Sequence, residues 1–266
     1  MEKEGKMVSR GILIFCVVFF VGNINANIPR ILNGHAANIE DFPYQASIRR
    51  ENIHICGGSI ISERHVLTAG HCVYNEFPPY FWLRVITGTS YRFEGGTVHE
   101  IADIIVHPEY FTDDNRAMND VAVITLKDII VFNEWQQKIS LPTHKFTAGQ
   151  RVNLTGWGRV QQMPPIRPQQ LQKLETELIS LEECQQLMID PEQTKLDRRD
   201  TCTIVIKNTG MCLGDSGGPL AVNGELVGIV SWTDGDYCAG GHPDVYVNVY
   251  TFKNFIEMVM KETEIS

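Results

Sequence analysis

Short runs of branched apolar residues, separated by turn formers, recur along most of the chain and leave few architectures open. The segments 53–62, 65–68, 83–87, 98–106, 121–126, 151–155, 171–179, 201–206, 219–222, 225–232 and 245–249 read as strands. Asn223-Gly224, between two of them, reads as a tight hairpin turn. Many short strands at regular spacing predict an all-β barrel or sandwich. Only the C-terminal end differs. Phe252, Phe255, Ile256, Val259 and Met260 recur at helical spacing, which predicts an α-helix docked on the strands by one apolar stripe. The polar segment 133–150, with Pro142 and Gly149, reads as a link between two halves.

The N-terminus reads as a targeting segment rather than part of the fold. Lys3, Lys6 and Arg10 precede an apolar run at 12–21, shorter than the ~20 residues a bilayer span requires. With Ile24-Asn25-Ala26 behind it, residues 1–26 read as a secretory signal peptide cleaved after Ala26; a membrane anchor is the alternative. The mature protein is therefore expected to be secreted and extracellular, with no membrane partner. Its formal net charge of −9 and lack of any basic block exclude a nucleic-acid partner. Export also changes how the cysteines read. Of seven, Cys16 lies in the signal, leaving Cys56, Cys72, Cys184, Cys202, Cys212 and Cys238. An even number in an oxidising compartment predicts three disulfides, in any of fifteen pairings. Zinc is the alternative, but no C-x-x-C pair is present.

The stretch 209-TGMCLGDSGGPL-220 surrounds Asp215-Ser216 with Gly210, Gly214, Gly217, Gly218 and Pro219. Glycines are costly to order, so such a cluster implies that the backbone approaches something closely. A serine hydroxyl becomes a nucleophile only when a base takes its proton, and it needs N–H donors where an oxyanion forms. The alternative is a glycine-rich surface turn. A base is offered by His71 in 66-VLTAGHC-72, and an orienting acid by Asp120 at the head of the apolar run 121–126. A carboxylate so placed is expected to be buried and hydrogen-bonded.

Together, Thr68-Ala69-Gly70-His71-Cys72, Asn119-Asp120-Val121-Ala122 and Gly214-Asp215-Ser216-Gly217-Gly218-Pro219 resemble the motifs of the chymotrypsin-like (S1) serine endopeptidases, in that family's order, from Ile31 almost to the C-terminus. The resemblance implies two six-stranded antiparallel β-barrels with the site in the cleft between them, and a peptidase domain over 31–266. It implies His71, Asp120 and Ser216 as catalytic residues, with an acid limb of activity near the reference histidine pKa of about 6.5, and the N–H groups of Gly214 and Ser216 as the oxyanion hole. It pairs Cys56 with Cys72, Cys184 with Cys202, and Cys212 with Cys238. Val152 and Val222 stand where relatives carry a further bridge, which suggests an apolar contact in its place. Residues 27–30 read as a short propeptide. Arg30-Ile31 resembles an activation bond cut by a trypsin-like protease, after which the Ile31 ammonium meets Asp215. Asn33 in 28-IPRILNG-34 replaces a glycine, which Asn tolerates because it accepts left-handed backbone.

The resemblance also places an S1 pocket at Gly210, Ser231, Trp232, Thr233 and Asp244. Gly210 at its base argues for Phe, Tyr, Trp or Leu as the preferred residue. Asp244, as in the brachyurin-type members, opens a mixed aromatic and basic preference, and Thr233 an elastase-like one. Expected partners are protein or peptide substrates, the activating protease and proteinaceous inhibitors of a monomeric enzyme; no cofactor or metal is expected. Glu94 lies where some relatives bind calcium, but its loop lacks a clear second carboxylate. Asn153-Leu154-Thr155 is a glycosylation sequon inside a predicted strand. A homologue without catalysis, acting as a binding protein, is the rival reading.

Overall fold

The computed structural model describes residues 31–112, 116–235 and 237–264. The expected signal peptide, propeptide and Arg30 lie outside the described residues. The first half supplies β1 (His35–Ala36), β2 (Gln45–Arg50), β3 (Ile53–Ile60), β4 (His65–Thr68), β5 (Leu83–Thr87), β6 (Thr97–His99), β7 (Ile101–Val106), β8 (Phe111–Thr112), β9 (Ala117–Met118) and β10 (Ala122–Leu126). The second supplies β11 (Arg151–Gly156), β12 (Gln172–Ile179), α1 (Leu181–Gln186), β13 (Asp200–Thr203), β14 (Pro219–Val222), β15 (Glu225–Thr233), β16 (Asp244–Asn248) and α2 (Val249–Thr263).

The second-half sheet runs β1-β12-β11-β14-β15-β16-β13, and β13 also pairs with β12. Six strands thus close on themselves, with β1 as an outlier. The first-half sheet runs β6-β5-β2-β3-β4-β10-β7. Its two edges, β6 and β7, are separated in the chain by Glu100 alone. This half-barrel is rolled so that one interrupted strand serves both edges, where the sequence suggested a single strand over 98–106. All pairings between named strands are antiparallel.

Besides the two-residue strands β1, β8 and β9, two elements were not legible in the sequence. β2 reads QASIRR, without a run of branched apolar residues. It alternates Ala46 and Ile48, which join the first core, with Gln45, Ser47 and Arg49, which are also buried but point to the seam between the sheets. α1 begins at an N-cap, Ser180, whose Oγ accepts the Glu183 N–H at 3.1 Å; Ser followed three residues later by Glu is the helix-start signal that identifies it. The predicted strand 201–206 is shorter, ending at Thr203.

α2 is capped by Asn248, whose side chain accepts the Thr251 N–H. Phe252, Ile256 and Val259 of the expected stripe are buried, and Phe255 and Met260 pack half-buried beside them. They join the first core rather than capping one barrel alone, so the chain's last element fastens its two halves together. Val152 and Val222, at the positions of the missing crosslink, both pack on the second core. Three disulfides join Cys56 to Cys72, Cys184 to Cys202 and Cys212 to Cys238. Among the described residues no helix is long and apolar enough to cross a membrane.

The two sheets touch most closely where β3 meets the loop before β14. Gly57 N–H donates to the Ser216 carbonyl at 2.8 Å. A Cβ on Gly57 would lie 2.7 Å from Gly218 Cα, a backbone atom that cannot swing aside. Gly57→Ala is therefore expected to destabilise the protein by about 1–3 kcal/mol, read as a lowered Tm, with the Ser216 loop displaced from β3.

Candidate active site

β4 ends in a 3₁₀ turn, Gly70–Cys72, that carries His71 between the core and Cys72. The Cys56–Cys72 bridge ties that turn to β3. Opposite it, Asn119 takes a left-handed φ of 50° and turns the chain into β10, delivering Asp120 into the interior. Asp120 is fully buried. Its Oδ1 accepts the His71 backbone N–H at 2.7 Å, and its Oδ2 accepts His71 Nδ1–H at 2.8 Å and the Ser231 hydroxyl at 2.5 Å. Three donors meet the cost of burying this carboxylate. Burial alone would raise its pKa; the charge of His71 and the hydrogen bonds from His71 and Ser231 outweigh it, so the Asp120 pKa falls below the usual range. For His71, burial would lower the pKa, but the charge and hydrogen bond of Asp120 overcome it and leave the imidazole above its ordinary value.

Ser216 comes from the second half and reaches the same place through its backbone. Its carbonyl is held by Gly57. Gly217, with φ 75°, sits so close to β4 that a Cβ there would lie 2.2 Å from Thr68 Oγ1 and 3.1 Å from Ala69 N. Thr68 Oγ1 in turn donates to the Gly57 carbonyl at 2.9 Å. The hydroxyl-bearing residue thus lies beside the turn that carries His71, although among the described residues no hydrogen bond joins its Oγ to the imidazole. Such contacts are often long without substrate. Neither the Gly214 N–H nor the Ser216 N–H finds a protein acceptor among the described residues, whereas the intervening Asp215 N–H is taken by the Cys212 carbonyl at 2.9 Å.

The loop is braced from behind by residues the sequence did not single out. His54 Nε2 lies 2.8 Å from the Gly214 carbonyl, and His54 Nδ1 lies 2.8 Å from Ser47 Oγ. Arg49 Nε donates to the same Ser47 oxygen at 3.2 Å. Because the Gly214 carbonyl can only accept, Nε2 of the neutral ring carries the proton, and Nδ1 accepts from the Ser47 hydroxyl, whose oxygen accepts from Arg49. The His54 pKa falls to about 4, chiefly by burial, so this tautomer persists across the neutral range. Nothing in 53-IHICGGSI-60 distinguishes His54 from a core histidine; only its placement does.

A pocket of ≈ 120 Å³ opens beside Ser216, lined by Met211, Cys212, Leu213, Val230, Ser231, Trp232, Thr233 and Cys238. Of the residues expected there, Ser231, Trp232 and Thr233 line it, and the Ser231 hydroxyl is turned to Asp120. Gly210 and Asp244 lie behind the lining. Asp244 is buried; its Oδ2 accepts the Met211 N–H at 2.7 Å, and its Oδ1 has no hydrogen-bond partner among the described residues. Burial pushes its pKa up to about 7. Any side chain at Gly210 would place Cβ 2.4 Å from Asp244 Oδ2.

The arrangement is that of a buried carboxylate, an oriented imidazole and a serine on a loop whose Gly214 and Ser216 N–H groups have no protein acceptor among the described residues. A family model described as Trypsin matches residues 31–256. The chain belongs to the trypsin family. Similar proteins include Hypodermin-A of Hypoderma lineatum, 34% identical over 244 residues, covering 91% of this chain and 92% of that protein. Trypsin alpha of Drosophila melanogaster is 33% identical over 228 residues, covering 85% and 86%. Chymotrypsin-2 of Vespa crabro is 35% identical over 228 residues, covering 85% and 98%. This trypsin-family chain is a serine endopeptidase by class, with proteins as its class of substrate.

The electrostatics of the pair carry a measurable consequence. By NMR, the His71 imidazole should titrate above the ordinary value of about 6.5, and Asp120→Asn should bring its pKa down. An unchanged titration would mean that Asp120 does not govern the ring.

Proposed function

We propose that this endopeptidase cleaves peptide bonds through an acyl-enzyme on Ser216. His71 Nε2 takes the Ser216 proton as Oγ attacks the scissile carbonyl carbon. The carbonyl electrons move to its oxygen, which the Gly214 and Ser216 N–H groups stabilise. Collapse expels the amine, which receives the proton from His71. Water, deprotonated by the same imidazole, then attacks the ester carbonyl, and the imidazolium returns that proton to Ser216 Oγ as the acid product leaves. Asp120 holds the ring with Nδ1–H inward and stabilises the imidazolium. The observation that carries this reading is the doubly held His71, fixed by backbone and ring to one fully buried carboxylate beside the Ser216 loop.

Preference at the bond follows from the pocket. Its apolar wall of Met211, Val230 and Trp232, with no charge in the lining among the described residues, favours aromatic and leucine side chains. A basic side chain is the second reading, because Asp244 lies behind the lining and its open Oδ1 is a latent acceptor. Since the Asp244 pKa is about 7, cleavage after Lys or Arg relative to Phe should rise between pH 6 and pH 8, and Asp244→Asn should abolish that rise. A ratio flat with pH would leave the apolar preference alone.

We further propose that the enzyme is secreted as a zymogen and activated by a trypsin-like cut at Arg30-Ile31. Ile31 is fully buried in the second core with Met211, and Leu32 bridges Gly210. Asn33 has the left-handed φ of 70° that its side chain tolerates. Asp215 is fully buried and accepts N–H groups of Gly158 and Cys212 at 2.8 and 3.0 Å, with no ion pair among the described residues. Burial raises its pKa to about 6, a cost of about 3 kcal/mol at neutral pH. The Ile31 ammonium freed by cleavage would offset it. A carboxyl raised in the folded state destabilises little below pH ~4 and fully above its folded pKa. The cleaved protein should therefore exceed the uncut one in Tm by more at pH 7.5 than at pH 4.5; a pH-independent difference would sink the ion-pair account.

Ser216→Ala should lower kcat by on the order of 10⁶, with the fold unchanged. Labelling of Ser216 by an organophosphate after cleavage at Arg30 separates this enzyme from a homologue that only binds, which would stay unlabelled.

A further inference from the structure

Asn153-Leu154-Thr155 is the one Asn-x-Ser/Thr triplet in the chain, and the catalytic reading makes no use of it. Val152 and Leu154 are fully buried in the second core, so Asn153 between them faces outward from β11. Its side chain is half-buried and has no hydrogen-bond partner among the described residues. Across the ladder on β14 it meets Ala221, whose small side chain leaves room beside it. A cavity of ≈ 360 Å³ opens there, with Asn153, Phe42, Tyr44, Lys138, Ala221 and Asn223 in its lining. β14 runs from the Ser216 loop to this cavity, which therefore lies at the far end of that strand from the candidate active site.

The lining suits a sugar. Phe42 and Tyr44 meet edge to face, ring centroids 6.2 Å apart, and form an aromatic wall. The C–H face of a pyranose is drawn to the negative face of such rings. Lys138 and Asn223, both exposed, offer donors and an acceptor to its hydroxyls. At Gly224 a Cβ would meet nothing within 4 Å, so a longer chain has an open way out. The wall comes from the segment before β2 and the floor from β11 and β14, so a ring seated there touches both halves. Thr155 is in contrast fully buried, and its Oγ1 donates to Gln45 Oε1 at 2.6 Å. Its hydroxyl is open to a transferase only before the two halves close, on the extended chain.

We propose that Asn153 carries an N-linked oligosaccharide whose first amino sugar seats in this cavity against Phe42 and Tyr44. Asn153 Nδ2 attacks C1 of the first sugar of a lipid-pyrophosphate-linked oligosaccharide. The N–C1 bond forms as the C1–O bond to the pyrophosphate breaks; the amide gives up one proton, and the lipid pyrophosphate leaves with the bonding electrons. The seated sugar covers aromatic surface at the seam and so holds the two halves together at the end remote from Asp120. The proposal rests on the export of the chain proposed above, and not on the acyl-enzyme.

The full chain is expressed in insect cells, and the protein recovered from the medium is read by intact and peptide mass spectrometry. One glycan is expected, on Asn153. Asn153→Gln should lack it, and Thr155→Ser, which keeps both the triplet and a hydroxyl for Gln45, should retain it. Asn153→Gln should lower Tm by about 2–4 °C, whereas wild-type protein trimmed by an endoglycosidase to its first sugar should keep its Tm. Neither change touches the catalytic residues, so the active form of each should keep its turnover of a short peptide substrate. A bare Asn153 in exported protein overturns the proposal. So does a Tm that full loss of the glycan leaves unchanged, or that trimming to one sugar lowers as much as Asn153→Gln does, since the first sugar then has no seat in the cavity. A chain found only inside the cells with residues 1–26 still attached is a different outcome: it overturns the export reading, and this proposal with it.

Discussion

The site depends on one carboxylate that has no water to turn to. Asp120 is buried where the two sheets meet, and it is satisfied by donors from both: the His71 peptide and ring on the first half, and the Ser231 hydroxyl of β15 on the second. Neither half alone could bury it, since removing any of these donors leaves a charge in a low-dielectric interior. The orientation of His71 and the docking of the two halves are therefore the same event. The imidazole, partly open to solvent, is held by Asp120 at Nδ1, while Nε2 lies 3.7 Å from Cys72 Sγ.

Around that carboxylate the seam is polar rather than oily. The faces of the strands that line it carry Gln45, Ser47, Arg49, His54, Thr68 and Thr155, all buried. Each finds a partner across or along the seam: Thr155 Oγ1 donates to Gln45 Oε1 at 2.6 Å, and Thr68 to the Gly57 carbonyl. Such groups must be matched or they destabilise, so they specify one register of sheet against sheet where an apolar interface would tolerate several. That precision suits the oxyanion role proposed for the Gly214 and Ser216 N–H groups.

The same polar seam explains which parts were legible in the sequence. Continuous runs of branched apolar residues bounded by turns, such as 121–126 and 225–232, were plain in the sequence. β2 did not, because alternate positions face the seam and carry Gln, Ser and Arg although they are buried; polarity imitated exposure. The helix at the C-terminus was visible as a stripe, but not that it binds to the first core. His71, Asp120 and Ser216 were singled out through their motifs, and the structure brings His71 and Asp120 into contact, with the Ser216 loop alongside. His54 and Ser47 were missed because their role is to brace a peptide group from another part of the chain, and no local pattern encodes a partner 160 residues away. Asp244 was placed in the pocket wall by resemblance; in the structure the backbone N–H of Met211 takes it up from behind.

The glycines acquire a more definite reason than closeness in general. Built onto Gly156 or Gly158, a Cβ would stand 2.2 Å from an Asp215 oxygen; on Gly210, it would stand 2.4 Å from an oxygen of Asp244. These three are spaces kept for buried carboxylates. Gly217 serves a different need, bringing backbone against β4 so that Ser216 sits beside His71. One loop thus has to satisfy two demands: room behind it for anions that set its shape, and contact in front of it that sets its chemistry. A side chain at any of these positions would force a choice between them. The concentration of glycine about a single serine is the sequence's record that both are met at once.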